Sequence, residues 1–386
     1  MKKICVVTTT RAEYGLLYPL IQRLLDCREW ETQVLVTGTH LEAEFGATCQ
    51  EIERDKIPVF AKIPILVPGD DAVAVSRTMA RAIEGFAVYF SQERPDLLIL
   101  LGDRTELLGI AAAAMNQQVP IAHIHGGELT QGAVDDSVRH AITKMSCLHF
   151  ASAEEYRRRI IQLGEEPERV FCTGALGVEN ILRQELLTRE ELQGAAEFPA
   201  DRDYAVVTFH PVTREEGTAL FQVQELFAAM EQRKELFYLI TKANSDAGGR
   251  QINAYMEQRS AGQSNMKVVP SLGMKRYLSA VKYAKFVLGN SSSGMIEAPA
   301  LGVPTVNIGD RQQGRLMAKS IVNCEPDCAA IQEAMDRALH MSAASGENPY
   351  GDGTASQQMV AVLREWLLQG KLKLKKNFYD IIWSEK

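Results

Sequence analysis

D-L-L-I-L-L-G-D-R-T-E-L-L-G-I-A-A-A-A-M-N-Q-Q-V-P-I-A-H-I-H-G-G-E, from Asp96 to Glu128, decides the fold class. The apolar run that ends at Leu101 reads as a strand covered on both faces, because a strand with one wet face would alternate. Gly102-Asp103-Arg104 interrupts it, Glu106 to Met115 reads as a helix, and Ile121 to Ile124 is a second short strand. Strand, loop, helix, strand is the repeating unit of a parallel sheet.

The alternation extends in both directions. Upstream, Ile4 to Thr9 and Thr32 to Thr37 read as strands, with helical spacing over Leu16 to Leu25 and Val73 to Phe90. Downstream come a helix from Ser137 to Met145 and a strand from Leu148 to Ala151. Leu182 to Asp203 is charged and weakly apolar, the passage into a second domain. Beyond it the strands restart at Ala205 to Phe209, Leu236 to Thr241, Lys267 to Val269, Phe286 to Leu288 and Thr305 to Ile308. The expectation is an α/β protein of two Rossmann-like domains facing a central cleft, over 1–180 and 181–364. Gln357 to Leu368 reads as an amphipathic surface helix, followed by the basic Lys371 to Lys376.

Composition agrees with two ordinary cores: 386 residues, 46% hydrophobic and 24% charged. A net charge of -7 and a pI near 5.7 exclude a generally basic nucleic-acid or membrane-surface binder. Seven scattered cysteines suit reduced thiols, and Cys324 and Cys328 have no second pair to complete a zinc site. Met1-Lys2-Lys3 leads into an apolar run too short for a secretory core, and no apolar stretch reaches membrane-spanning length. A cytoplasmic protein is expected, with no membrane or nucleic-acid partner.

In an open parallel sheet ligands gather at the loops after the strands, and five such loops carry chemistry. In Thr10-Arg11-Ala12-Glu13, Arg11 either holds a phosphate at a helix N-terminus or pairs with Glu13. Asp103 is a proton-transfer candidate or a helix cap. In His123-Ile124-His125-Gly126-Gly127-Glu128, alternation puts both histidines on one face, and the glycines let backbone approach a ligand. Of Asp135 and Asp136, one is expected to cap the next helix and leave the other for chemistry, with Arg139 and His140 placed to pair with them. His210, after the strand Ala205 to Phe209, is either structural or a proton carrier near neutral pH. Gly289-Asn290-Ser291-Ser292-Ser293-Gly294 crowds hydroxyls and N–H groups at a helix expected to open at Met295, a pyrophosphate cradle without a P-loop lysine. Glu297 lies one turn further, placed for a ribose diol, and Asn307 to Arg315 adds the cations Arg311 and Arg315. The spacing of His125, Glu128 and Asp135 matches no zinc motif, so no metal is expected.

Taken in order, R-A-E-Y at Arg11, G-D-R at Gly102, H-I-H-G-G-E at His123, D-D-S-V-R-H-A-I-T-K-M-S at Asp135, H-P-V-T at His210, G-N-S-S-S-G at Gly289 and G-D-R-Q-Q-G-R at Gly309 resemble the hydrolysing UDP-N-acetylglucosamine 2-epimerases that feed sialic-acid synthesis. The resemblance runs over nearly the whole chain. It implies a GT-B-like architecture whose C-terminal domain holds UDP, with 365–386 forming a helix and tail that cross back to the first domain. It also implies a homodimer or homotetramer without a cofactor. Carried over by position, Ser291, Ser292 and Arg311 would contact the diphosphate, Glu297 the ribose, and Asn244 and Asp246 the nucleoside side. Arg11 would reach the phosphates from the other domain, and Arg104, Arg139 and Arg315 would complete the substrate contacts. Asp103, Asp135 and His210 would serve proton transfer and the sugar. Many relatives carry a catalytic glutamate at the position of His125, so here either His125 or Glu128, three residues on, takes that task.

The implied chemistry starts with removal of the C2 proton as UDP leaves C1, giving a 2-acetamidoglucal. Water then adds at C1 while a proton returns to the opposite face of C2, yielding N-acetylmannosamine. Kindred possibilities are a hydrolysing 2-epimerase of UDP- or GDP-2,4-diacetamido-2,4,6-trideoxyglucose and a non-hydrolysing UDP-N-acetylglucosamine 2-epimerase. A glycosyltransferase would need an acceptor, and a non-catalytic sensor would leave the acids and histidines without purpose.

Overall fold

The computed structural model describes residues 1–43, 47–69, 71–129, 134–211, 219–243, 249–269, 272–341 and 348–381. The chain forms two compact units, Met1–Asn180 with Gly353–Lys386, and Ile181–Asp352.

The first unit is built on seven strands: β1 (Lys2–Thr8), β2 (Trp30–Thr37), β3 (Val59–Ile63), β4 (Leu97–Leu101), β5 (Ile121–Ile124), β6 (Leu148–Ala151) and β7 (Val170–Cys172). They lie in the order β3-β2-β1-β4-β5-β6-β7, and every pairing is parallel. One face packs Ile4, Val6, Leu97 and Ile99 against the Arg11–Asp26 helix; the other packs Cys5, Val7, Leu98 and Leu100 against Phe86, Phe90 and Ile110. Burial on both faces is what the unbroken apolar runs require. The reversal of strand order between β1 and β4 opens the crevice where such sheets place ligands.

The second unit repeats the plan with β8 (Tyr204–Thr208), β9 (Phe237–Thr241), β10 (Met266–Val269), β11 (Phe286–Gly289), β12 (Thr305–Ile308) and β13 (Ile321–Cys324). Their order is β10-β9-β8-β11-β12-β13, again all parallel. Each unit therefore has the Rossmann-like organisation read from the alternation.

The boundary expected at 364/365 lies earlier, because the chain re-enters the first unit at Gly353. Ala355, Met359, Val360, Leu363, Trp366 and Leu367 all belong to the first unit's core. The Ser356 amide and hydroxyl both donate to the buried Glu179 carboxylate, at 2.7 and 2.6 Å, and Arg23 Nε donates to Ser356 Oγ at 2.6 Å. The helix Ala355–Leu363, continued by a π-turn over Arg364–Leu368, is thus a core element of that unit and not a surface helix.

The basic tail is also anchored. Lys376 Nζ donates to the carbonyls of Lys144 and Ser146 at 2.8 and 2.6 Å, and pairs with buried Glu165 at 2.7 Å. Burial would raise the Glu165 carboxyl, but hydrogen bonds from His149, Lys144 and Lys376 bring it down to about 2. Among the described residues no helix is long and apolar enough to cross a membrane.

Candidate functional site

In the first unit the loops after β1, β4 and β5 come out at the same sheet edge. After β4, Gly102 takes a positive φ of 83°, and Asp103 follows it into an ion pair with Arg139. Arg139 was expected among the substrate contacts, yet it is 4% exposed and sits in the helix Val134–Met145. Its guanidinium also donates to the Glu128 carbonyl at 2.8 Å and to Asp136 at 2.9 Å. Arg139 therefore binds the Asp103 loop, the Glu128 loop and its own helix together. Asp136 is the carboxylate tied inward, while Asp135, in the same first turn, is exposed.

His125 does not continue the β5 alternation. The strand ends at Ile124, and His125 turns to a φ of 62° with its amide bonded to Phe150 O at 2.9 Å. A left-handed conformation at a non-glycine residue costs about 1 kcal/mol and persists only where its surroundings hold it. The imidazole Nδ1 lies 3.8 Å from Glu128 Oε1, and its Nε2 is buried without a hydrogen-bond partner. Ser152 Oγ donates to the same Glu128 oxygen at 2.6 Å. The two residues between which the sequence left proton transfer open thus stand side by side, with Ser152 steadying the carboxylate.

The glycines between them are required by the packing of the protein itself. A Cβ on Gly126 would lie 2.9 Å from Thr143 Oγ1 and 3.1 Å from His123 Nδ1, and one on Gly127 would run into the Tyr156 carbonyl. They let the neighbouring helices close on the loop. His123, placed by alternation on the same face as His125, is fully buried instead.

At the loop after β1, Arg11 is 73% exposed and pairs with Glu51 at 3.0 Å rather than with Glu13. Glu13 is turned inward: its Oε2 accepts from the Thr9 amide at 2.7 Å and from Thr9 Oγ1 at 2.5 Å, and its Oε1 is buried without a partner. Burial pushes its carboxyl up to about 7, against the opposing hydrogen bonds from Thr9. The signal for it was present in Thr10-x-x-Glu13, a capping-box spacing, and Thr10 Oγ1 does accept from Glu13 N at 3.3 Å. Arg104 pairs with Glu106 at 2.7 Å and stays partly exposed.

In the second unit Asn290 joins three loops. Its side chain brackets His210, accepting from the His210 amide and donating to its carbonyl, both at 2.8 Å. Its own carbonyl accepts from Arg311 at 3.1 Å and from Gln312 Nε2 at 2.8 Å. Gly289, at a φ of 134°, passes so close to the Thr208 carbonyl that no side chain fits. The helix opens at Ser293, two residues before the expected start. Ser291 Oγ accepts from Ser293 N at 3.3 Å, Ser293 Oγ accepts from Tyr277 OH at 2.7 Å, and the Ser292 side chain makes no cap. First-turn N–H groups beside hydroxyls and Arg311 make an anion-binding arrangement.

Glu297 is raised above the ordinary carboxylate range by burial, opposed first by hydrogen bonds from its own backbone and from Ser293 and then by Arg315, and its Oε2 is buried without a partner. Arg315 itself is exposed. Asn244 and Asp246 lie outside the described residues; the chain just before them is held by Asn253, which accepts from the Ala243 amide at 2.7 Å. Among the described residues no group of three or more acids, histidines and cysteines is placed to hold a metal ion.

The sequence pattern of the family described as UDP-N-acetylglucosamine 2-epimerase matches residues 23–364. The chain is similar to a GDP/UDP-N,N'-diacetylbacillosamine 2-epimerase (hydrolyzing) of Campylobacter jejuni, with 39% identity over 84% of each chain. It is also similar to a UDP-N,N'-diacetylbacillosamine 2-epimerase (hydrolyzing) of Legionella pneumophila, with 32% identity over 98% of this chain and 100% of that one. In fold it resembles the crystal structure of UDP-GlcNAc 2-epimerase from Neisseria meningitidis bound to UDP-GlcNAc, at a TM-score of 0.74 and 17% identity, over 94% of this chain and 100% of the other. With two parallel α/β units, the loop motifs in order and a match across most of its length, the chain belongs to the UDP-N-acetylglucosamine 2-epimerase family of enzymes.

Proposed function

We propose that this enzyme is a hydrolysing 2-epimerase whose substrate is a nucleoside-diphosphate-linked N,N'-diacetylbacillosamine, the 2,4-diacetamido-2,4,6-trideoxy sugar, with UDP as the nucleotide. The observation that carries the reading is the 39% identity to the Campylobacter jejuni enzyme of that named activity, supported by 32% identity along nearly the whole chain to the Legionella pneumophila one. It displaces N-acetylglucosamine, the sugar first expected from the motifs, to second place.

In this reading the first unit's loops move the protons and the second unit's loops hold the nucleotide. The C–H at C2 is a weak acid, so its removal must be concerted with departure of the nucleoside diphosphate from C1. His125 takes that proton, with Glu128 beside it to stabilise the imidazolium. Asp103, oriented by Arg139, and Asp135 contact the sugar; as water adds its oxygen to C1 of the glucal, this carboxylate pair takes up the proton the water loses and delivers one to the opposite face of C2. Charge developing on the leaving diphosphate is met by the N–H groups at Ser293, the Ser291 and Ser292 hydroxyls and Arg311. The buried, unpartnered oxygen of Glu297 suits a ribose hydroxyl, which would supply the hydrogen it lacks.

The test is to incubate the enzyme with UDP- and GDP-N,N'-diacetylbacillosamine and with UDP-N-acetylglucosamine in D2O, following the products by NMR. Free UDP and a 2-epimeric diacetamido sugar carrying one deuterium at C2 are expected. The kcat/KM should exceed that for UDP-N-acetylglucosamine by roughly 100-fold, about what an apolar pocket achieves against an added hydroxyl. Faster turnover of UDP-N-acetylglucosamine would restore the simpler sugar as substrate. An epimer still bearing its nucleotide would reject hydrolysis.

A further inference from the structure

His123 is 0% exposed, and both of its ring nitrogens are engaged: Nε2 lies 2.7 Å from the Gly102 carbonyl and Nδ1 3.0 Å from Thr143 Oγ1. A carbonyl only accepts, so Nε2 carries the proton; Nδ1 is then the acceptor, and the Thr143 hydroxyl donates to it. This tautomer follows from the partners. Burial, partly opposed by the Gly102 hydrogen bond, lowers the imidazole to about 3, so the ring is neutral wherever the protein is folded near neutral pH.

The other polar group of Gly102 is held as well, since its amide donates to Ile124 O at 3.0 Å. Both backbone groups of the residue before Asp103 are thereby fixed to β5. Gly102 has a positive φ and no side chain of its own to restrain the turn, so these two bonds define the direction in which Asp103 leaves β4. Thr143 lies in the same helix as Arg139, which grips the Asp103 carboxylate. Gly126 fits against Thr143 Oγ1 and His123 Nδ1 so closely that a methyl there would press on both partners.

We infer that His123 is a positioning residue: through the relay Thr143 O–H to imidazole to Gly102 carbonyl it fixes the turn that presents Asp103, without itself touching substrate. The inference rests on the proposed role of Asp103 in turnover. Its structural part, that His123 fixes the Gly102 turn, stands independently of that role.

His123→Phe removes the donor while keeping the volume, and His123→Gln keeps an N–H at the position of Nε2. In His123→Phe the kcat should fall 10- to 100-fold with KM and UDP affinity within about twofold of the wild type, and His123→Gln should recover most of the loss. Hydrogen exchange at the Gly102 amide should quicken at least about tenfold in His123→Phe, while exchange in the second unit is unchanged. The His123 15N signals of the wild type should report the Nε2–H tautomer and stay constant down to about pH 5. A folded His123→Phe with wild-type kcat, or with unaltered Gly102 exchange, overturns the inference. A wild type that turns over no nucleotide sugar rejects the proposed function instead, and the exchange and 15N measurements still decide whether His123 fixes the turn. Should His123→Phe fail to fold, Thr143→Val carries the same test, since it removes only the hydroxyl that donates to Nδ1 and holds the ring against the Gly102 carbonyl; unchanged kcat and exchange there also overturn it.

Discussion

Single side chains in the first unit are set by what they exclude as much as by what they bond. Glu13 is the clearest case, a carboxyl whose one oxygen holds Thr9 and whose other faces a dry interior. Its acidity constant moves from 4.5 to about 7. An acid raised on folding binds more protons in the native state than in the unfolded one between those values, so stability falls as pH rises through that window. The contribution is fully present below about pH 4.5 and is lost above about pH 7. The shift corresponds to roughly 3 kcal/mol at the usual 1.36 kcal/mol per unit. Glu13→Gln mimics the protonated acid at every pH, so it should match the wild type in thermal unfolding at pH 4.5 and exceed it at pH 8. Parallel melting curves for the two proteins across that range would show that Glu13 ionises normally. Arg139 shows what a residue type leaves open: the resemblance places it among the substrate contacts, whereas 4% exposure and its bonds to Asp103, the Glu128 carbonyl and Asp136 make it the clamp of the Asp103 loop. Asp136 is one of the acids its position in the sequence set it to pair with.

At the scale of elements, the central strands, with both faces covered, were plain in the sequence, and of the four edge strands described Met266–Val269 alone was read. Val59–Ile63, Val170–Cys172 and Ile321–Cys324 are the other three edges, and each escaped the strand pattern, the first and last because polar or exposed positions break the apolar run and the second because it is only three residues long. The loop motifs were legible by position, because Asp103, His125, His210 and Ser291 each follow a strand C-terminus. What those loops hold on to was not, since tertiary partners such as Ser152 on Glu128 and Asn290 on His210 come from distant sequence. The helix Ser293–Ala300 gives an element-scale prediction. Ser292 does not cap it, so Ser292→Ala should leave the melting temperature nearly unchanged, and adding Arg311→Ala, which removes the bond to the Asn290 carbonyl, should lower it by only a few degrees, the loss of about 1 kcal/mol. The pair should weaken UDP binding about 10- to 100-fold, the loss of one or two charge-assisted hydrogen bonds. Calorimetry with UDP checks it, and undiminished affinity would move the diphosphate away from this loop.

At the scale of the whole molecule, the two units differ in how the chain closes them. Ile181–Asp352 is one continuous segment, while the first unit is assembled from Met1–Asn180 and a returning segment from Gly353. That return brings Met359, Leu363 and Trp366 into the first core and places Ser356 on the otherwise buried carboxylate of Glu179. Without it, Glu179 would lose two donors and the Arg11–Asp26 helix an apolar partner, a loss on the order of 5 kcal/mol or more from large buried side chains alone. A domain of ordinary stability does not survive that. Expressed separately, 181–352 should fold and give a dispersed amide spectrum that shifts on adding UDP, because the Ser291, Arg311 and Glu297 group lies wholly within it. A 1–180 fragment should be insoluble or molten, and joining 353–381 to it through a flexible linker should restore cooperative unfolding. A well-folded 1–180 fragment would reduce the returning segment to a surface ornament, and a folded 181–352 that ignores UDP would show that nucleotide binding needs residues of the first unit as well.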